Sequence, residues 1–138
     1  MKIFSFHLYG ADRLFYEGEC LSVIVPAVDG QYGVLADHAN LITAIVPGEL
    51  TFTLPNVSQP QTVAVAGGIM KVEDNDVLVL VESVLRPEEI DADRARKEEV
   101  AAREALLQKR GRVEYRSAQA QLARAVTKLK VRRRGSSK

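Results

Sequence analysis

In "KIFSFHLY" the apolar Phe4, Phe6 and Leu8 alternate with Ser5 and His7, and in "GELTFTLPN" Leu50, Phe52 and Leu54 alternate with two threonines. A period of two predicts half-buried β-strands, since successive side chains of a strand point to opposite faces. "VLVLVES" (77–83) is apolar on both sides, as expected for a strand in the middle of a sandwich, and Asp74-Asn75-Asp76 supplies turn chemistry just before it. Further turn signals lie at Asp29-Gly30, Pro47-Gly48 and Pro55-Asn56, and Gly67-Gly68 reads as a strand bulge. Short strands with turns at this spacing predict an all-β sandwich or barrel of about 85 residues.

After Pro87 the pattern changes. "EEIDADRARKEEVAAREALLQKR" is rich in Ala, Glu, Arg and Lys, the best helix formers, with Asp91 placed as an N-cap. Gly111 interrupts, and Tyr115, Ala118, Leu122, Ala125 and Leu129 then recur every three or four residues, the stripe of a helix lying along another helix. The predicted fold class is therefore α+β: an N-terminal all-β sandwich over 1–86, then a C-terminal antiparallel two-helix hairpin over 87–138 with a basic tail. Because the stripe is mostly alanine, little apolar area is buried. The hairpin is expected to hold together weakly and to be able to open or leave the sandwich.

Charge reinforces the division. The net charge of +1 over 138 residues conceals a balance of −6 in residues 1–86 and +7 in the remainder, which points to two modules with different partners. No apolar run approaches the roughly 20 residues of a membrane span, and the N-terminus lacks the pattern of a signal peptide. The single cysteine, Cys20, cannot form an internal disulfide and reads as a small hydrophobe on a strand. Together these predict a soluble protein of a reducing compartment.

Chemistry has few footholds. His38 stands between Asp37 and Asn40, and a catalytic or zinc role would need partners. The other histidine is His7, on a strand, and no Cys/His cluster or His-Glu-x-x-His spacing is present. A loop histidine bonded to nearby backbone and a member of a docking surface both stay open. Gly67-Gly68 lacks the Lys-Ser/Thr of a phosphate loop. The C-terminal cations Lys128, Lys130, Arg132, Arg133 and Arg134 fit a nucleic-acid contact, a solvated tail or an acidic protein surface. The sandwich is acidic and offers no aromatic platform for single strands.

"GQYGVLADHANLITAIVPGEL", "VAGGIMKVEDNDVLVLVES" and "IDADRA" follow one another in the order of three motifs of the epsilon subunit of bacterial and chloroplast F-type ATP synthases, and the chain resembles that family over nearly its whole length. It departs at Asn40, where the motif has proline after His-Ala, and in its unusually basic tail.

The resemblance implies a rotor subunit of the central stalk, not an enzyme on its own, that couples proton-driven rotation to ATP synthesis. It implies a sandwich with one face on the gamma subunit and its lower rim on the ring of membrane c subunits. The implied ring contact is Gln31, Asp37, His38, Ala39, Leu41 and Ile42, with Leu35 beside them. It further implies a hairpin that reaches the alpha and beta subunits and inhibits hydrolysis, its positive stripe being Arg116, Arg124, Lys128, Lys130, Arg132, Arg133 and Arg134. No cofactor is required. ATP is implied as a regulatory ligand of the folded hairpin at Ile90, Asp91, Arg94, Ala95, Arg124 and Lys128. There the match is incomplete, since Lys128 stands where nucleotide-binding members carry arginine and Ala101 where another basic residue is found. Asp91 capping the helix and Arg94 pairing with Glu98 are the alternatives at those positions. The implied location is peripheral, on the cytoplasmic face of the bacterial cell membrane, with no nucleic-acid partner.

Overall fold

The computed structural model describes residues 2–107 and 112–136, and of 112–115 and 135–136 the backbone alone. Gly111 and the side chain of Tyr115 lie outside the described residues. By its contacts the chain divides into two compact units, Met1–Val84 and Leu85–Lys138.

The first unit is a sandwich of two five-stranded sheets. Its strands are β1 (Phe4–Tyr9), β2 (Leu14–Cys20), β3 (Ser22–Ala27), β4 (Gly30–Leu35), β5 (Leu41–Ile45), β6 (Gly48–Thr53), β7 (Gln61–Val65), β8 (Gly68–Glu73), β9 (Asp76–Val81) and the two-residue β10 (Val84–Leu85). One sheet runs β2-β1-β9-β8-β5 and the other β10-β7-β6-β3-β4. The alternation read from the sequence sorts the faces as expected: Phe4, Phe6, Leu8, Leu50 and Phe52 are all buried in the core. β1 and β9 run parallel in the middle of the first sheet, pairing Phe6 with Val77 and Leu8 with Val79.

Two local features fix this arrangement. The β8–β9 connection is a two-residue turn in which Asp74 and Asn75 take φ of 50° and 63°, the left-handed pair that suits a tight hairpin. At Gly68 an added Cβ would collide with the Leu80 carbonyl oxygen, so β8 can approach β9 only because this residue has no side chain. Gly67-Gly68 is thus not the bulge expected from sequence. Gly67 lies in the bend between β7 and β8, and Gly68 opens β8. The register shift in the first sheet falls instead between Leu8 and Tyr9.

In the second unit a 3₁₀ turn (Pro87–Glu89) leads into α1 (Ala92–Leu107), followed by α2 (Arg112–Ser136). Asp91 caps α1: its Oδ1 accepts the N–H groups of Asp93 and Arg94 at 3.0 and 3.1 Å. The helices run antiparallel, since Glu98 faces Lys128 while Ala101 lines the same cleft as Gln121 and Arg124. Ala95 and Ala102 of α1 and Ala118, Ala125 and Val131 of α2 are buried. The alanine-rich stripe is therefore the packing face, with Leu122 and Leu129 half-buried at its sides.

Candidate functional site

Three places carry exposed or charged groups arranged for contact. The first is the loop over 36–40 between β4 and β5. These are edge strands of different sheets, so the loop crosses the open side of the sandwich. His38 is tied down within it. Nδ1 lies 2.7 Å from the Ala39 carbonyl oxygen, which can only accept, so Nδ1 donates there, and Nε2 lies 3.1 Å from the Tyr32 hydroxyl. Tyr32 and His38 also pack ring edge to ring face at 5.6 Å. The imidazole is a loop strut with both nitrogens engaged.

Asparagines secure the rest of the loop. Asn75 Oδ1 accepts the Asp37 N–H at 2.7 Å, its Nδ2 donates to the Ile3 carbonyl at 2.9 Å, and Asn40 Oδ1 accepts the Asp74 N–H at 2.9 Å. Asn40, which stands at a proline position of the motif, thus pins the loop to the β8–β9 turn. Asp37 (φ 62°) is held left-handed and meets Lys2 Nζ at 3.4 Å. Leu35 and Ile42 stand 65% and 71% exposed on either side, while Leu41 packs against the core. Asp37 and Ala39 are exposed and His38 is half-buried. Gln31 is exposed at the far end of β4, four residues or roughly 13 Å of extended strand from Leu35.

The second place is the outer face of the sheet containing β9. "VLVLV" is apolar on both sides, but only Val77, Val79 and Val81 enter the core. Leu80 points outward and is 40% exposed. It falls in a cross-strand row with Ala44, Ile69, Tyr9 and Leu14, of which Ile69 is 45% and Leu14 55% exposed. The neighbouring row is mixed, holding Ile42, Lys71, Leu78, His7 and Glu17, and the next is acidic, with Glu73, Asp76 and Glu19. His7 bridges these strands, with Nδ1 2.8 Å from Glu17 and Nε2 2.9 Å from Asp76. Sequence reading missed this row because it combines five strands. Its local signal is Leu80, in a run whose apolar residues on both sides read equally well as a strand covered on both faces.

The third place is the hairpin. Ile90, Asp91, Arg94, Ala95 and Lys128 line one cleft of about 250 Å³, together with Leu85, Glu89 and Glu98. Arg124 lies in an adjoining cleft of about 390 Å³ with Ala101 and Gln121, and the two share Glu98 and Lys128. The six residues implied as a nucleotide site are thus neighbours. Their charges are nonetheless largely engaged. Glu98 Oε1 lies 3.4 Å from Arg94 Nε, its Oε2 accepts from Lys128 Nζ at 3.3 Å, and Asp91 is committed to its cap. The basic residues of α2 divide by exposure: Arg116, Lys130, Arg133 and Arg134 are exposed, whereas Arg124, Lys128 and Arg132 are half-buried. At 100° per residue they occupy more than one face of the helix.

Cys20 belongs to none of these places. It is buried, its thiol lies near the carbonyl oxygens of Ser22 and Thr53, and burial pushes its pKa above the ordinary 9.0. Among the described residues no group of three His, Cys, Asp or Glu is placed to hold a metal, and no helix is long and apolar enough to cross a membrane.

Two family models cover the chain in sequence: "ATP synthase, Delta/Epsilon chain, beta-sandwich domain" over 3–87 and "ATP synthase, Delta/Epsilon chain, long alpha-helix domain" over 88–132. The ATP synthase epsilon chain of Herminiimonas arsenicoxydans is 34% identical over 119 residues, 86% of this chain and 85% of that one. That of Caldanaerobacter subterraneus subsp. tengcongensis is 36% identical over 130 residues, 94% of each. In solved structures, a chain of the Euglena gracilis mitochondrial ATP synthase (OSCP/F1/c-ring) superposes with a TM-score of 0.77 at 18% identity, covering 96% of this chain and 80% of that one. A chain of the Tetrahymena thermophila mitochondrial ATP synthase central stalk and c-ring gives 0.67 at 14%, covering 93% and 95%. At such identities these two superpositions speak to the fold.

Proposed function

The chain belongs to the ATP synthase delta/epsilon family, with epsilon chains among its relatives, and from that membership we propose that it is the epsilon subunit of a proton-translocating rotary ATP synthase. In this reading it is a non-catalytic rotor subunit of the central stalk, peripheral on the cytoplasmic face of a bacterial membrane. It couples rotation of the c-ring to ATP synthesis in the alpha and beta subunits. The observation that carries the reading is the unbroken match of both domains, in order, over residues 3–132.

Each place described above then has a task. The apolar row of Leu14, Tyr9, Leu80, Ile69 and Ala44 is a surface that a stalk partner would desolvate, and we assign it to gamma. An apolar centre beside a charged margin is how protein interfaces are built. The loop over 36–40, with Leu35 and Ile42, is assigned to the c-ring, its shape held by the asparagine contacts. The hairpin restrains ATP hydrolysis, its exposed cations meeting acidic surfaces of the alpha/beta head, and ATP acts on it as a regulatory ligand.

The test is reconstitution of the full chain with gamma and the alpha/beta head. The parent is expected to copurify with gamma and to lower hydrolysis by the head, while Leu80→Arg and Ile69→Arg, with outward side chains that leave the core intact, weaken copurification at least tenfold. Undiminished copurification of both variants would remove this face as the gamma contact, and a parent that bound no gamma would overturn the assignment as a whole.

A further inference from the structure

We propose that Glu98 determines what the hairpin cleft accepts: its carboxylate occupies, from within the chain, the place of an anionic ligand between Arg94 and Lys128. The proposal rests on the reading of this cleft as a regulatory nucleotide site and specifies how this chain modifies it.

The geometry is that of a bound anion. One carboxylate oxygen faces each cation, at 3.4 Å from Arg94 Nε and 3.3 Å from Lys128 Nζ. Arg94 lies four residues before Glu98 on α1, whereas Lys128 comes from α2, so a single side chain links the two helices. Glu98 and Lys128 are 37% and 29% exposed, which spares this pair part of the screening met by a surface ion pair. Arg94, 80% exposed, is the more accessible partner.

Two consequences follow for a phosphate approaching the same cations. It must displace or share Glu98, because a group already bonded to a carboxylate gains little from exchanging one anion for another. It also enters a cleft in which Asp91 and Glu98 stand beside Arg94 and Lys128, while the third carboxylate of the lining, Glu89, is taken up by Arg86 at 3.8 Å. Asp91 cannot turn away without uncapping α1. The hairpin thus supplies the anion that closes it, and its closed state has little need of nucleotide.

Glu98→Gln removes the charge while keeping the size and the helix propensity. Full-length parent, Glu98→Gln and Glu98→Asp are titrated with ATP and, separately, with inorganic tripolyphosphate, following hairpin amide and Arg94 and Lys128 side-chain shifts by NMR. The parent is expected to saturate only at millimolar concentration and Glu98→Gln to bind both ligands at least tenfold more tightly. Glu98→Asp, whose carboxylate is drawn back by one methylene, is expected in between. Should Glu98→Gln lose its helical circular dichroism, Glu98→Asp decides. The gain should vanish when Lys128→Ala is added to Glu98→Gln. Without ligand, Glu98→Gln should also exchange its hairpin amides faster than the parent. Equal, saturable binding of ATP by parent and variants would overturn the role of Glu98 and leave the nucleotide reading standing. Absence of binding in all of them would overturn both.

Discussion

At the residue scale, His38 and Asn40 show how far identity alone could be read. The sequence of His38 ruled in no chemistry, but that its ring spans Tyr32 and the Ala39 carbonyl required the chain to fold back six residues, which no local pattern encodes. Asn40 was legible only as a departure from a motif; its partner, the Asp74 N–H, is 34 positions away. Asn75 was read as a turn residue and is one, yet its side chain also bonds the Asp37 N–H and the Ile3 carbonyl. The two asparagines should therefore differ in cost. Asn40→Ala removes one exposed acceptor and is expected to lower stability by about 0.5–1 kcal/mol. Asn75→Ala loses two bonds and puts alanine at φ 63°, with an expected cost of about 2 kcal/mol. Urea denaturation of the two variants checks the order, and an Asn40→Ala cost equal to or above that of Asn75→Ala would contradict this account of the loop.

At the element scale, strands whose faces differ were legible and their partners were not. Phe4, Phe6 and Leu8 declare a buried face by alternation, but the parallel pairing of β1 with β9 joins segments about 70 residues apart, and alternation carries no information about neighbours. The same limit hid the outward row through Leu80 and Ile69. It also explains Gly68, which sequence could mark as special without saying why. The reason is backbone contact with β9, not a bulge. Gly33 offers a contrast within the same sandwich, since a Cβ there would meet nothing within 4 Å. Gly68→Ala is accordingly expected to cost about 3 kcal/mol or more, because backbone must move, whereas Gly33→Ala should change stability by no more than about 0.5 kcal/mol. Thermal or urea unfolding of the pair distinguishes them. Similar midpoints would mean that β8 and β9 can part without penalty.

At the scale of the whole molecule, the two modules were visible in charge and periodicity together, since the acidic strand-forming part gives way to the basic helical part at one place. What sequence also conveyed was the thinness of the hairpin core. The sandwich buries Phe4, Phe6, Leu8, Leu50, Phe52 and Met70; among the described residues the hairpin buries Ala95, Ala102, Ala118 and Ala125, with Val131 and Ile90 as its larger members. A methyl or methylene taken from water is worth roughly 0.8 kcal/mol, so four alanines contribute only a few kcal/mol against the entropy of ordering two helices. Such a unit should open well below the free energy at which the sandwich unfolds, which is the property that the inhibitory role proposed for the hairpin would require. Native-state hydrogen exchange on the full chain is the measurement. Amides of α1 and α2 are expected to exchange at least a hundredfold faster than those of β1 and β9. Ala125→Leu, which forces a larger side chain into a fully buried site, should speed the hairpin about tenfold, equivalent to about 1.4 kcal/mol, and leave the strands unchanged. If helices and strands instead exchange with one common free energy, and Ala125→Leu shifts both together, the hairpin is not an independently opening unit and a switching role would have to draw its energy from a partner.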